Sequence, residues 1–205
     1  MSIPKIFSQA CENNRQPILD LLLRFFAKTR SVLEIGSGTG QHAAFFAPRL
    51  PHLVWQTSDL AINHTAINAW INDYPSSNIR RPLVFDASSS NWSCRLMDGL
   101  FTANTCHIMP WPTVVSLFAG LPSLLASEAT IVIYGPFKYG GRFTSASNAD
   151  FDCRLKMHNP HQGIRDFEAI NGLASSAGLV LQEDLPMPAN NRLLVWQRKK
   201  HLARL

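Results

Sequence analysis

Apolar positions recur along the chain in two rhythms that alternate. From Arg15 to Lys28 they fall at Ile18, Leu19, Leu22, Leu23, Phe25 and Phe26, the spacing of a helix face, with Pro17 suited to a first turn. A short β-rich run, Ser31 to Ile35, ends in Gly36-Ser37-Gly38-Thr39-Gly40. Helical spacing returns from His42 to Arg49, where Pro48 and Pro51 stop it. Leu53 to Thr57 predicts a second strand closed by Ser58-Asp59, Ile62 to Tyr74 a helix ended by Pro75, and Arg81 to Phe85 a third strand ending at Asp86. Gly99 to Asn104 reads as a strand, Trp111 to Leu125 as a helix, and Thr130 to Tyr134 as a fifth strand terminated by Gly135-Pro136. The polar stretch from Lys138 to Asn148 is longer than most connections and is a candidate functional loop. Ile164 to Ala177 predicts a helix capped by Gly178. Leu179 to Leu185 and Arg192 to Gln197 predict two last strands, joined by Pro186 to Asn191.

Strand and helix in alternation imply a parallel sheet covered on both faces. The last two strands lie too close in sequence for a parallel return, so they pair antiparallel. The expected fold is α/β: a Rossmann-like, seven-stranded, mostly parallel sheet with an antiparallel carboxyl-terminal hairpin. A dinucleotide dehydrogenase keeps its sheet parallel throughout. Residues 1–205 read as one domain with a helical segment at 1–30 and a basic tail at 198–205.

Composition narrows the reading. Apolar residues make up 46% and charged residues 16%, which excludes a disordered chain, a collagen and a long coiled coil. The net charge of +5 invites a nucleic-acid or membrane reading. However, Arg198, Lys199, Lys200 and Arg204 supply four of those charges and leave a body of +1. Such a tail is more often a solvated end than a binding element. The cysteines Cys11, Cys94, Cys106 and Cys153 form no C-x-x-C pair, so they read as free thiols rather than metal ligands. The polar amino terminus and the lack of an 18-residue apolar run point to a cytoplasmic location and no membrane span.

The loop Glu34-Ile35-Gly36-Ser37-Gly38-Thr39-Gly40 carries the first candidate chemistry. Glycines between a strand and a helix let backbone turn sharply and meet a ligand without a Cβ in the way. The nicotinamide fingerprint G-x-G-x-x-G places its third glycine where this chain has Gln41, and no Gly-Lys-Ser/Thr follows as a P-loop needs. The E-x-G-x-G-x-G form resembles motif I of class I S-adenosylmethionine-dependent methyltransferases. That resemblance implies cofactor contacts at Glu34, Gly36, Ser37, Gly38 and Gly40, with Glu34 ordering the loop. Asp59 and Leu60 end the second strand, 23 residues after Gly36 for the aspartate, where a carboxylate can accept ribose hydroxyls; Asp59 is equally placed to cap the following helix. Asp86 and Ala87 fall where the pattern meets adenine, or where Asp86 caps the turn at Ser88 to Ser90. Asn104 falls near the methionine amino group, or at a plain strand-end turn.

The carboxyl half resembles a narrower group, the domain-of-unknown-function family 938 with its methyltransferase-like 26 proteins. The residues that carry this are His107-Ile-Met-Pro-Trp111, Tyr134-Gly-Pro-Phe-Lys138, Phe143-Thr-Ser145, Asn148, Phe151-Asp152, Gly163-Ile-Arg-Asp166 and Met187-Pro-Ala-Asn-Asn191. Asn13-Asn-Arg15-Gln-Pro-Ile-Leu19 also fits, so the likeness spans nearly the whole chain. It implies S-adenosyl-L-methionine as cofactor, S-adenosyl-L-homocysteine as product, and Asn14 beside the cofactor. Two departures stand out. Asn13 replaces the arginine of the usual Arg-Asn pair, and Asn159-Pro160-His161-Gln162 replaces Asp-Pro-x-Trp. The first removes a cation for the methionine carboxylate; the second removes an acid and an aromatic near the expected substrate loop.

Methyl transfer asks the protein to align an in-line displacement and to accept a proton only where the nucleophile carries one. His107, just past the fourth strand, is a candidate base or substrate partner, or else a packing histidine beside Met109 and Trp111. Asp166 is a second catalytic candidate. Tyr134, Lys138, Arg165, Asn190 and Asn191 are candidate substrate contacts, although Arg165 and Asp166 can instead pair and Asn190-Asn191 can simply form a turn. Asn104-Thr-Cys-His107 stands where amino-directed nucleic-acid enzymes carry Asn/Asp-Pro-Pro-aromatic, which argues against base-amino methylation. The expected substrate is a small molecule. A cofactor-binding module without turnover, and an RNA or protein methyltransferase, are the other readings.

Overall fold

The computed structural model describes residues 5–89, 92 and 94–200; the last five residues of the expected tail lie outside these. The first helix is α1 (Gln9–Phe25), whose N-cap Ser8 accepts the N–H of Cys11. Pro17 sits mid-helix, not in a first turn. The opening turns are polar and offer no apolar stripe, which is why periodicity placed the start at Arg15. Then follow β1 (Ser31–Ile35), α2 (Gln41–Phe46), β2 (Val54–Asp59), α3 (His64–Asp73), β3 (Ile79–Val84), β4 (Met97–Ala103), α4 (Trp111–Leu124) and β5 (Leu125–Gly135). The carboxyl half adds β6 (Phe137–Tyr139), β7 (Arg142–Phe143), α5 (Ala146–His158), β8 (Arg165–Asp166), α6 (Phe167–Ser176), β9 (Leu179–Met187) and β10 (Asn191–Arg198).

The main sheet has seven strands in the order β3-β2-β1-β4-β5-β10-β9. The first five pair in parallel. Strand β10 is antiparallel to both β5 and β9, so the final hairpin inserts its second strand and leaves β9 at the edge. Alternation along each strand divides the core. Leu33, Ile35, Leu100, Ile131, Ile133, Leu194 and Trp196 face α4 and α6. Val32, Phe101, Val132, Leu193 and Val195 face α1, α2 and α3. Burial on both faces gives these strands their near-continuous apolar character. Strand β1 lies between β2 and β4, so the chain order reverses there and opens a crevice above the strands' carboxyl ends.

Three expectations in the carboxyl half change. The stretch from Lys138 to Asn148 is not a bare loop: β6 and β7 form a hairpin, and β8 pairs with β6 in a separate three-stranded sheet. Helix α5 follows, which no apolar pattern announced. It buries Asn148 and Asp152 together with Leu155, a face that is mostly polar and so shows no hydrophobic stripe. The helix expected from Ile164 begins instead at Phe167, because Arg165 and Asp166 are taken up by β8.

Glu34 is the one acid buried in the central strand, with a relative exposure of 2%. Its Oε2 accepts from Ser37 Oγ at 2.9 Å and from Trp55 Nε1 at 3.0 Å. Burial dominates over these two donors and raises the carboxyl to about 7. The folded state therefore holds a proton that the unfolded chain releases from its ordinary value of 4.5. Its contribution is complete below that value and fades as pH rises through about 7. The difference in urea-unfolding stability between the native chain and Glu34→Gln should shift by roughly 3 kcal/mol in the variant's favour between pH 4.5 and pH 8. The difference isolates Glu34, because the buried histidines His42 and His107 titrate with the opposite sign. A pH-independent difference would contradict the assignment.

Candidate functional site

A cleft of about 1000 Å³ opens at the carboxyl edge of the sheet, at the reversal between β1 and β4, the upper end of the size of small-molecule sites. Its floor is the β1–α2 loop. Gly36 and Ser37 both donate their N–H to Ser58 O, at 3.1 and 3.0 Å, and Ser58 Oγ donates to Glu34 O at 2.6 Å. The loop is thus tied to β2 before it turns away.

The three glycines of this loop do different things. A Cβ on Gly36 would stand 2.5 Å from Thr105 Cγ2, and one on Gly40 would stand 2.8 Å from the Ile67 backbone. Both are glycine because other chain segments approach. A Cβ on Gly38 would meet nothing nearer than 4.0 Å, so its bare side opens on the cleft. Gly40 and Glu34 do not line the cleft; Gly36, Ser37 and Gly38 do. Gly38 donates its N–H to Asp59 Oδ2 at 2.7 Å. Asp59 Oδ1 accepts from Leu60 N at 2.7 Å and Asn63 Nδ2 at 2.8 Å. Three of about four acceptor positions are occupied, and one remains toward the cleft. The capping alternative is not realised, since Leu60 and Asn63 hold the N-cap positions that follow; Asp59 instead braces the turn before the helix while it lines the cleft.

Asp86 lies at the end of the neighbouring strand and combines two roles in the same way. Its Oδ1 accepts from Ser88 N at 2.8 Å and Ser88 Oγ at 2.7 Å, which pulls its pKa down. It lines the cleft with Phe85 and Ala87. Leu60, Asn104, His107, Tyr134 and Asn191 line it as well. Asn104 adopts φ 58°, a left-handed conformation that asparagine tolerates better than most residues, and its N–H donates to Tyr134 O at 2.8 Å.

His107 is 4% exposed and packs edge-on to Phe151 at 5.3 Å. Burial, aided by the Arg165 cation, lowers its pKa to about 4, so it faces the cleft as neutral imidazole with a lone pair. Arg165 does not reach the cleft. Its guanidinium donates to Cys106 O at 3.0 Å, to His161 O at 2.9 Å and to Met109 O. Gly163 N donates to His107 O at 2.9 Å. The Gly163-Ile-Arg-Asp166 tract is a clamp on the turn that carries His107.

Asp166 and Lys138 also stay out of the cleft. They pair with each other at 3.3 Å, and Asp166 accepts from Gly141 N at 2.8 Å. The expected Arg165–Asp166 pair does not form: Arg165 finds backbone carbonyls and Asp166 the neighbouring lysine. Asn190 sits at the tip of the last hairpin with φ 57° and gives its carbonyl to Asn148 Nδ2 at 3.0 Å, so it is a turn residue outside the cleft lining.

Of the amino-terminal wall, the sequence announced only Asn14, through the family resemblance. Ser8, Cys11 and Asn14 line the cleft from one face of α1, a three-residue spacing that a helix starting at Gln9 makes legible. Behind them His42 Nε2 meets Asn14 Oδ1 at 2.7 Å, and burial lowers His42 to about 4. The Asn14 side chain also hydrogen-bonds the Tyr134 hydroxyl, whose pKa burial nonetheless raises. Among the described residues no helix is long and apolar enough to cross a membrane.

Solved structures share the fold. An O-methyltransferase family protein from Burkholderia thailandensis superposes with a TM-score of 0.82 at 21% identity over 93% of this chain and 58% of that one. Human N-acetylserotonin methyltransferase, in complex with S-adenosylmethionine, gives 0.76 at 14% identity over 94% and 53%. A mitomycin 7-O-methyltransferase gives 0.74 at 15% identity over 93% and 57%. The chain spans little more than half the length of these proteins. The likeness establishes the class I methyltransferase fold. A family model described as protein of unknown function matches residues 5–198, and the chain belongs to that family, DUF938.

Proposed function

We propose that this chain is an S-adenosylmethionine-dependent methyltransferase with a small-molecule acceptor, of the methyltransferase-like 26 kind that its carboxyl-half tracts resemble, forming one domain over residues 1–205. One observation carries the reading: the 2.7 Å bond from Gly38 N–H to Asp59 Oδ2 sets bare loop backbone and a carboxylate on one wall, with Asp86 at the end of the adjacent strand. Acceptors beside an open glycine suit a ribose diol and an adenine amino group, and two carboxylates suit a ligand of net positive charge. Asp59 and Leu60 would hold the ribose, Asp86 and Ala87 the adenine, and Asn14 and Asn104 the methionine end. The bound cofactor supplies an electrophilic methyl group on a sulfonium.

The chain's own residues do the rest. The apolar walls keep water from the reacting atoms. His107 presents a neutral nitrogen that accepts a proton from the acceptor's nucleophile. Arg165 is a positioning residue: it fixes the turn bearing His107 through three carbonyls, and its charge helps keep the imidazole neutral.

Two measurements check this. Asp59→Ala should weaken S-adenosylhomocysteine binding in calorimetry about 10- to 100-fold, the loss of one or more hydrogen bonds to a charged group. Unchanged affinity in a folded variant sinks the cofactor assignment. In Arg165→Met, the His107 pKa read by imidazole NMR should move up from about 4, with S-adenosylhomocysteine affinity held within a few-fold. An unmoved His107 would remove Arg165 from the site.

A further inference from the structure

The half of the cleft beyond the glycine loop is bounded by the β4–α4 turn, the end of β5, one face of α5 and the tip of the last hairpin. Met109, Pro136, Phe151 and Pro188 give it flat apolar walls. None of the charged side chains that these elements carry lines the cleft, and several are turned to another partner. Lys138 pairs with Asp166 at 3.3 Å. Asp152 pairs with Lys156 and accepts from Ile164 N at 2.7 Å. Arg192 and Asp184 hold each other at 2.7 Å. Arg165 is committed to the three carbonyls behind His107. Arg154, whose guanidinium lies 5.9 Å from the Phe151 ring, is exposed and not part of the lining.

Among the described residues, the only lining side chains with a full carboxylate are Asp59 and Asp86, both at the ends of β2 and β3, and none is lysine or arginine. The undescribed positions before residue 201 are Met, Ser, Ile, Pro and Asn, none with an ionisable side chain. Polar atoms remain on the far half, but uncharged ones. Asn148 gives its amide to Thr144 Oγ1 and Asn190 O, at 2.9 and 3.0 Å. His107 faces the space, and Tyr134 lines it with its hydroxyl held by Asn14.

From this we propose that the methyl acceptor is an uncharged molecule with a flat apolar body and a single nucleophilic polar group directed at His107. An anion or a cation carried into this half would lose water and find no partner. The inference rests on the methyltransferase reading for where the acceptor sits, and its test separates the two.

The probes are 2-naphthol, 6-hydroxy-2-naphthoate and 6-aminomethyl-2-naphthol, which share a ring system and differ in charge. Each is titrated into the chain saturated with S-adenosylhomocysteine, with saturation-transfer NMR and calorimetry as readouts. The neutral probe should bind at least about tenfold more tightly than either ion, the order of discrimination expected of unpaired buried charge. In Met109→Lys the preference should shift toward the naphthoate by a similar factor. Equal or tighter binding of either ion, or no binding of 2-naphthol to the loaded chain, overturns the inference. Failure of S-adenosylhomocysteine to bind at all strikes the methyltransferase reading instead, and the probe series on the unloaded chain still ranks the charges.

Discussion

Where β1 and β2 end, a set of buried polar groups must satisfy one another, and the position of every cleft residue follows from how they do it. Ser37 Oγ donates to Glu34 and accepts from Ser58 N; Ser58 O takes the N–H groups of Gly36 and Ser37; Gly38 turns its own N–H to Asp59. A network of this kind is stable only when complete, since each unpaired member would stand in low dielectric. Completing it forces the loop into left-handed backbone at Gly36 and Gly38, and exposes the bare face of Gly38 to the cleft. The aromatic side chains beneath, Phe46, Trp55 and Phe101, lie 5.6 Å apart centroid to centroid and leave the loop no room to sink.

The opposite wall is held by a different device. Arg165, Gly163 and Asp152 fasten the His107 turn to α5 and β8 through backbone carbonyls and N–H groups rather than through apolar packing. Burial, with the Arg165 cation behind it, keeps the imidazole neutral, and pairing of Lys138, Asp166, Arg192 and Asp184 away from the cleft leaves the far half without charge. One wall therefore concentrates carboxylates and the other excludes ions, an asymmetry that fits a cationic cofactor beside an uncharged acceptor.

Much of this was legible in the sequence because the relevant signals are local. Strand, acid, three glycines and helix in order mark the loop, and Asp59 and Asp86 mark strand ends whatever the tertiary packing. The hairpin of β9 and β10 followed from chain length alone. What stayed hidden depends on partners distant in sequence. Helix α5 has a polar buried face, so no hydrophobic period reveals it. Lys138, Arg165 and Asp166 carry the residue types of a site, yet their partners pull them out of it: a lysine for Asp166, three carbonyls for Arg165. The roles of Gly36 and Gly40 are set by Thr105 and Ile67, which no spacing connects to them. Cys11 faces the cleft because α1 begins earlier than its apolar stripe.

The most direct test of the account is a crystal structure of the chain with S-adenosylhomocysteine. The account predicts the adenosine between Asp59 and Asp86, its ribose diol on the Asp59 carboxylate beside Gly38, and the thioether sulfur pointing toward the His107 side of the cleft. A ligand bound elsewhere, or an adenosine that leaves Asp59 and Asp86 untouched, would contradict it.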